Sequence, residues 1–151
     1  MSNSELQIIK LDKNDLQSFQ KLVRIFNEVF ELGSQNYVSE LHLRSLLENP
    51  YFIAFVIQNE NEILGGLTAY ELPQYHSENA ELFLYDLAIK QKFQRKGFGK
   101  NLLLKLEEYC REKDIKIFFV AAHEEDTNAI DFYHSTGGQA EKVVHFNYKV
   151  N

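Results

Sequence analysis

The sequence predicts an α+β fold in which about four helices cover a mixed central sheet of six to seven strands. Apolar residues recur at helical spacing in several segments, and three short β segments follow one another in the middle of the chain. A nearly all-apolar segment, Ile115 to Ala122, then follows a helix, as expected for a strand that is buried on both faces and parallel to the strand before that helix. The 151 residues fit one domain, 1–151, with one core.

The first third of the chain contains a predicted strand and two predicted helices. Leu6 to Leu11 is a short strand, and a helix with one apolar stripe follows from Asn14. Gly33 is expected to end this helix. The second helix is expected to have Ser39 as its N-cap and to stop at Asn49-Pro50.

The middle of the chain is predicted to form an antiparallel meander. Tyr51 to Gln58 and Ile63 to Leu72 flank the polar turn at residues 59–62, which predicts a hairpin. Ala80 to Ile89 is the third strand of the meander. A helix is then expected from Gly97 to about residue 113, and it connects the meander to the buried strand in a right-handed crossover.

The C-terminal part of the chain is predicted to contain a short helix and a last β region. The helix covers Thr127 to Ser135, and the glycine pair at residues 137 and 138 separates it from the β region Gln139 to Val150, which forms one strand or two. Apolar residues of this last region are also candidates for pairing with a second subunit in a homodimer.

Composition and charge exclude several classes of protein. Twenty-two acidic against sixteen basic residues give a net charge of −6, which disfavours a general nucleic-acid binder and is compatible with a cationic small molecule. Mild acidity is also common among soluble proteins without such a partner. No apolar run approaches the roughly 20 residues of a membrane span. The single cysteine, Cys110, fits a reducing compartment, so we expect a cytoplasmic protein, and the histidines show no metal-ligand spacing.

A glycine-containing loop at a strand-to-helix junction is a candidate anion site. The segment Gln94-Arg95-Lys96-Gly97-Phe98-Gly99-Lys100 exposes successive backbone N–H groups at a helix N-terminus and adds three cations, which suits a pyrophosphate. The spacing excludes a P-loop, and Leu102 stands where the dinucleotide fingerprint needs a third small residue. A plain helix start with solvated basic residues remains the alternative.

Two segments resemble the GNAT superfamily of N-acetyltransferases. Gln94-x-x-Gly97-x-Gly99 resembles the acyl-CoA pyrophosphate signature of that family, and the segment from Asn128 to Gly137 resembles the one that carries a CoA-contacting Asn and a Tyr near the thioester sulfur. The predicted order of elements also matches this family. Within it, Gly66 to Pro73, Leu84 to Ile89 and His145-Phe146 are similar to the aminoglycoside 3-N-acetyltransferases, whereas the pair Gly137-Gly138 departs from the usual pattern.

The resemblance implies direct transfer of acetyl from acetyl-CoA to a primary amine, by similarity the 3-amino group of an aminoglycoside. The alternatives to this function are the same reaction on another amine and a non-catalytic acyl-CoA-binding domain. Asp86, an acid within an apolar strand, would accept the proton of the amine or anchor the cationic substrate, and its alternative is an ion pair or a bulge cap. Tyr133 would protonate the leaving thiolate, and its alternative is packing on the sheet.

The remaining site residues follow from the same resemblance. A backbone N–H near Leu87 would hold the oxyanion, and Asn128 would bind the pantetheine or cap its helix. The expected acetyl-CoA contacts are Leu87, Ala88, Ile89, Arg95, Lys96, Gly97, Phe98, Gly99, Lys100 and Asn128. The expected contacts to the acceptor amine are Glu28, Glu31, Glu71, Tyr85, Glu124, Glu125 and Asp126, each of which has a solvated surface charge or side chain as its alternative. His123 is a candidate for assisting the proton transfer.

Overall fold

The computed structural model describes residues 5–33, 38–60 and 62–151, and the chain divides into two compact units. The first unit, residues 1–121, contains a five-stranded sheet with the strand order β1-β2-β3-β4-β5. Its elements are β1 (Gln7–Lys10), α1 (Leu16–Val29), α2 (Glu40–Glu48), β2 (Phe52–Gln58), β3 (Ile63–Pro73), β4 (Ala80–Ile89), a 3-10 turn (Gln91–Phe93), α3 (Phe98–Glu112) and β5 (Phe118–Phe119). The second unit, residues 122–151, contains α4 (Thr127–Ser135).

The predicted class is confirmed: the four helices and a mixed sheet make an α+β fold. Strands β1 to β4 pair antiparallel with their neighbours, and β5 pairs parallel to β4. Ser39 caps α2 as predicted, because its hydroxyl accepts the backbone N–H of His42 at 3.2 Å. Helix α1 ends at Val29, before the predicted stop at Gly33, because Glu31 already has a left-handed φ of +54°.

Helices pack on both faces of the sheet in the first unit. Helix α1 covers one face, and its Leu22 approaches β3 so closely that a Cβ at Gly66 would lie 2.8 Å from the leucine side chain. Helix α3 covers the other face, where the ring of Tyr109 contacts that of Phe55. We call these the α1 face and the α3 face. The apolar core therefore has two layers with the sheet between them.

The sheet has five strands in the described residues, where the sequence predicts six to seven. Strand β5 covers two residues of the predicted Ile115 to Ala122, and the predicted β region Gln139 to Val150 has no assigned strand. A strand needs a partner for its backbone groups, and the second unit by itself contains only α4 as regular structure. Among the described residues, no helix is long and apolar enough to span a bilayer.

Candidate active site

A β-bulge at Tyr85 sets the geometry of β4. Leu84 pairs with Ala69 of β3 and Asp86 pairs with the next residue, Thr68, so Tyr85 is the extra residue of the bulged strand. Side chains alternate between the two faces of a regular strand, which would put Leu84 and Asp86 on the same face. The bulge shifts this alternation. Leu84 is buried on the α3 face, and Asp86 turns to the α1 face.

Beyond the bulge, β4 has an open edge on the side of β5. In the described part of the first unit, the ladder between the two strands contains only the pairs Leu82–Phe118 and Phe83–Phe119. On the other side of β4, the N–H of Lys90 donates to the carbonyl of Leu64 in β3 at 2.8 Å. Because backbone groups alternate in direction along a strand, the N–H groups of Leu87 and Ile89 point to the open edge and that of Ala88 points to β3.

The open edge suits an extended ligand that carries amide groups. Such a ligand adds to an unpaired strand edge by main-chain hydrogen bonds. Leu87 and Ile89 therefore offer backbone N–H groups at this edge, and their contact with acetyl-CoA stays a prediction. Ala88 does not offer its N–H there, and its side chain is buried in the core of the α1 face.

The loop that precedes α3 presents free backbone N–H groups. Gly97 is the N-cap of α3 with a left-handed φ of +85°, and no side chain caps this helix. Asn101 is the residue whose N–H donates to the carbonyl of Gly97, so the N–H groups of Phe98, Gly99 and Lys100 have no acceptor within the helix. The loop is fixed to the end of β4 by Gln94, whose side-chain amide donates to the carbonyl of Ile89 at 2.9 Å.

The electrostatics of this loop favour an anion. The N–H groups lie at the positive end of the α3 dipole, and the first turn of α3 contains no acidic residue. Arg95, which has a φ of +62°, and Lys96 and Lys100 are exposed around it. The loop therefore has donors and charges that suit a pyrophosphate, and the contact itself stays a prediction.

Asp86 is a half-buried carboxylate on the α1 face of β4. Burial raises the pKa of Asp86 to about 6. Among the described residues, none forms an ion pair or a hydrogen bond with its side chain. The alternative in which a neighbouring lysine neutralises Asp86 is therefore not observed, and the carboxylate remains available to a ligand.

Tyr70 is a residue of this region that sequence reasoning missed. Its ring packs against Phe52 at 5.3 Å and against Tyr85 at 5.7 Å between centroids. Burial raises the pKa of Tyr70, and the nearby Tyr85 and Asp86 raise it further. The ring centroids of Phe83 and Tyr85 are 5.6 Å apart. We call Tyr70, Phe83 and Tyr85 the aromatic wall. Tyr70 pairs with Phe83 in the hairpin, but its nearness to Asp86 depends on the bulge.

Two of the acids predicted to bind the acceptor lie apart from Asp86. Glu71 is on the α3 face, where it accepts a hydrogen bond from the hydroxyl of Tyr109. Burial raises the pKa of Tyr109, and this hydrogen bond raises it further. Glu28 lies at the C-terminal end of α1 beside the end of β4, in a cleft whose lining includes four cations. Glu31 is exposed just after α1.

The second unit, taken by itself, holds the remaining predicted residues. Asp126 caps α4, because its carboxylate accepts the N–H of Ala129 at 3.1 Å. Asn128 lies inside α4 and is not its N-cap, so the capping alternative for Asn128 is wrong. Tyr133 also lies in α4, with its ring 5.2 Å from that of Phe132. The residues before α4 are His123, Glu124 and Glu125. Their part in a common site with Asp86 stays a prediction.

In the described residues, no group of three or more His, Cys, Asp or Glu side chains lies close enough together to hold a metal ion.

Comparisons with known proteins agree with this geometry. The model of the acetyltransferase (GNAT) family matches residues 19–137. The aminoglycoside acetyltransferase meta-AAC0020, from an uncultured soil metagenomic sample, is 41% identical; its complex with sisomicin superposes with a TM-score of 0.93 over 97% of each chain. A second soil metagenomic aminoglycoside acetyltransferase, HMB0005, is 34% identical over 97% of this chain and 99% of its own, with a TM-score of 0.89. The thialysine N-epsilon-acetyltransferase of Sus scrofa is 24% identical over 84% of this chain and 80% of its own.

The chain therefore belongs to the acetyltransferase (GNAT) family. It is an acetyl-CoA-dependent N-acetyltransferase, and its acyl donor fits the two features described above. The open edge of β4 offers backbone groups to the pantetheine arm, and the loop before α3 offers N–H groups and cations to the pyrophosphate.

Proposed function

We propose that this enzyme acetylates a primary amine of an aminoglycoside, and by resemblance the 3-amino group. The observation that carries the proposal is the half-buried, unpaired carboxylate of Asp86 next to the open edge of β4. An ammonium group cannot attack a thioester, so the site must bind a cation and remove its proton beside the acyl donor. The likeness to two aminoglycoside acetyltransferases that are 34% and 41% identical supports this choice of acceptor.

The donor is expected to lie along β4 and to end on α3. Its pantetheine arm follows the edge at Leu87 and Ile89, and the N–H of Leu87 holds the oxyanion that forms on the thioester carbonyl. Its pyrophosphate accepts from the N–H groups of residues 98–100. Arg95, Lys96 and Lys100 supply charge there, and Asn128 bonds the pantetheine.

The proton of the acceptor is expected to leave through Asp86. With a pKa of about 6, this carboxylate is largely ionised at neutral pH, yet it is basic enough to receive a proton from a bound ammonium. The amine then attacks the thioester carbonyl, the bond from carbon to sulfur breaks, and the leaving thiolate takes a proton from Tyr133. The nitrogen gives up its second proton as the amide forms, and this proton restores the hydroxyl of Tyr133.

The acceptor is expected to meet the aromatic wall first. Tyr85 is 57% exposed, and an aromatic face attracts ammonium groups, so Tyr85 can hold a second amine of a polycation. Glu31, Glu124, Glu125 and Asp126 are proposed as outer contacts that steer the cation. Glu71 and Glu28 are left out, because Glu71 is bonded to Tyr109 on the other face and Glu28 lies among cations.

Another amine is the second candidate acceptor. One relative in the comparisons is a thialysine N-epsilon-acetyltransferase, which supports a smaller amine as the substrate. The aromatic wall favours the aminoglycoside, because a larger ring system with several ammonium groups uses both the wall and Asp86.

The release of free thiol from acetyl-CoA tests the proposal. Purified enzyme is offered gentamicin-type and kanamycin-type aminoglycosides, spermidine and a lysine peptide, and the acetylated position is read by NMR. We expect turnover with aminoglycosides and acetylation of the 3-amino group. Turnover confined to spermidine or the peptide would replace the acceptor, and no turnover with any of them would overturn the proposal.

We further propose that both units act as one catalytic domain, because the family match runs from residue 19 to 137 and so includes parts of each.

We also propose a homodimer in which the apolar residues of 139–150 pair with those of a second subunit. A cytoplasmic location is proposed because it suits the buried thiol of Cys110. Light scattering of the full chain tests the dimer, and a monomer at all concentrations would exclude it.

A further inference from the structure

A second charged region lies in the first unit at the far end of β4. A cleft of about 530 Å³ opens between α1, the start of β3 and the residues that follow β4. Its cations are Lys21, Arg24, Lys90 and Lys92, and its acids are Glu28 and Glu62. We call it the basic cleft. In a chain with a net charge of −6, this local excess of cations is unusual and points to an anionic ligand.

Two of these four cations share one acidic partner within the cleft. Glu62 pairs with Lys90 at 2.9 Å and with Lys92 at 3.4 Å, and these two lysines lower the pKa of Glu62. Among the described residues, no acid lies within ion-pair distance of Lys21 or Arg24. The exposed side chains of Lys21 and Arg24 therefore remain available for a group with about two negative charges, such as a phosphate monoester.

Apolar side chains also line the basic cleft. Ile25 of α1 and Ile63 of β3 contribute apolar surface to its lining. A cleft that combines an apolar surface with a few cations suits a ring that carries a phosphate, and it suits a bare inorganic anion less well.

The basic cleft is close to the loop that binds the donor. The ammonium groups of Lys92 and Lys96 lie 4.9 Å and 5.8 Å from the ring centroid of Phe93, so they are within about 11 Å of each other. Lys92 lines the basic cleft, and Lys96 belongs to the loop before α3. One nucleoside that carries phosphates at two positions spans such a distance.

We propose that the basic cleft binds the 3′-phosphate of the acyl donor, with Lys21 and Arg24 as its ligands. The inference rests on the donor placement proposed above, in which the pyrophosphate lies on residues 98–100. Coenzyme A carries a phosphate monoester on its ribose, beside the adenine ring, and these groups match the two cations and the apolar surface of the basic cleft.

Steady-state kinetics of two enzymes, each with two acyl donors, test the proposal. Wild-type enzyme and the K21Q/R24Q variant are each assayed with acetyl-CoA and with acetyl-dephospho-CoA, which lacks only the 3′-phosphate. For the wild type, we expect KM to be about threefold to tenfold lower with the phosphorylated donor, as for other partly exposed charged contacts. For the variant, we expect the two donors to have the same KM and kcat to stay unchanged.

The control removes two charges elsewhere. Lys13 and Lys113 are exposed and lie outside the basic cleft, so the K13Q/K113Q variant measures the effect of net charge alone, and it should keep the preference for the phosphorylated donor. A preference that survives K21Q/R24Q, or a wild type without any preference, would overturn the proposal.

Direct binding separates this proposal from the proposed function. Calorimetry with adenosine 3′,5′-bisphosphate and adenosine 5′-phosphate needs no acceptor amine. Tighter binding of the bisphosphate that is lost in K21Q/R24Q supports the basic cleft even when no amine is acetylated. Equal binding of the two nucleotides, or displacement of the bisphosphate by inorganic phosphate at similar concentration, would contradict it.

Discussion

Two carboxylates of the β3–β4 hairpin lie on opposite faces of the sheet and have opposite surroundings. Asp86 on the α1 face has no partner among the described residues, and burial raises its pKa to about 6. Glu71 on the α3 face accepts a hydrogen bond from Tyr109, a buried residue of α3. A partly buried acid with a built-in partner holds two elements together, whereas one without a partner is available to a ligand.

The largest effect that tests this comparison is on activity. We expect Asp86→Asn to lower kcat/KM for the acceptor by about 10²–10⁴-fold, because the amide cannot receive the proton of the ammonium. The matched variant Glu71→Gln should keep kcat/KM within about twofold, since Glu71 lies on the other face. Thiol-release kinetics at one pH measure both. A large loss in Glu71→Gln would return Glu71 to the acceptor site that the sequence predicts for it.

The pH dependence of the wild type is the next effect. Because an acid with a pKa of about 6 must be ionised to receive a proton, kcat/KM should fall about tenfold per pH unit below pH 6 and level off above it. The acidic limb should be absent from the residual activity of Asp86→Asn. A wild-type profile that is flat down to pH 4.5 would show that Asp86 does not titrate in the reaction.

A smaller effect is expected at the loop before α3. Gly97 has a φ of +85°, and no atom lies within 4 Å of a Cβ built there, so Gly97→Ala introduces backbone strain without a clash. Strain of about 1–2 kcal/mol should raise KM for acetyl-CoA by about tenfold and leave KM for the amine unchanged. Gly33→Ala, also at positive φ with open space, is the control for strain outside the loop and should change neither constant.

The smallest effects are on stability, and they should have opposite signs for the two carboxylates. The folded-state pKa of Asp86 is raised, so its ionisation destabilises the fold, and this penalty is lost progressively as the pH falls from about 6 to below the ordinary pKa of an aspartate, 3.8. At pH 7, Asp86→Asn should therefore raise the free energy of unfolding by about 1 kcal/mol, less than the full shift implies because the side chain is only half-buried.

Tyr109→Phe should instead lower the free energy of unfolding by about 1 kcal/mol, because Glu71 loses its hydrogen-bond donor. Urea denaturation of both variants at pH 7 and pH 5 measures these changes. If both variants change the free energy of unfolding in the same direction, the two carboxylates do not have opposite effects on the fold.

The local parts of the enzyme follow from the sequence alone. The helices were predictable from the spacing of apolar residues and from caps such as Ser39, and the antiparallel meander from its turn residues. The loop from Gln94 to Lys100 was also predictable, because the left-handed Gly97 and the free N–H groups at a helix start are properties of a short segment.

Long-range contacts decided the rest. The bulge at Tyr85 comes from the pairing of β4 with β3, and only this pairing turns Asp86 to the α1 face beside Tyr70. The partner of Glu71 is a side chain of α3, distant in sequence, so no local pattern separates its role from that of Asp86. The sequence by itself determined the helices, the antiparallel meander and the loop of free N–H groups before α3, because these depend on neighbouring residues. The tertiary structure decided which acid is left without a partner, since that depends on which faces and strands meet.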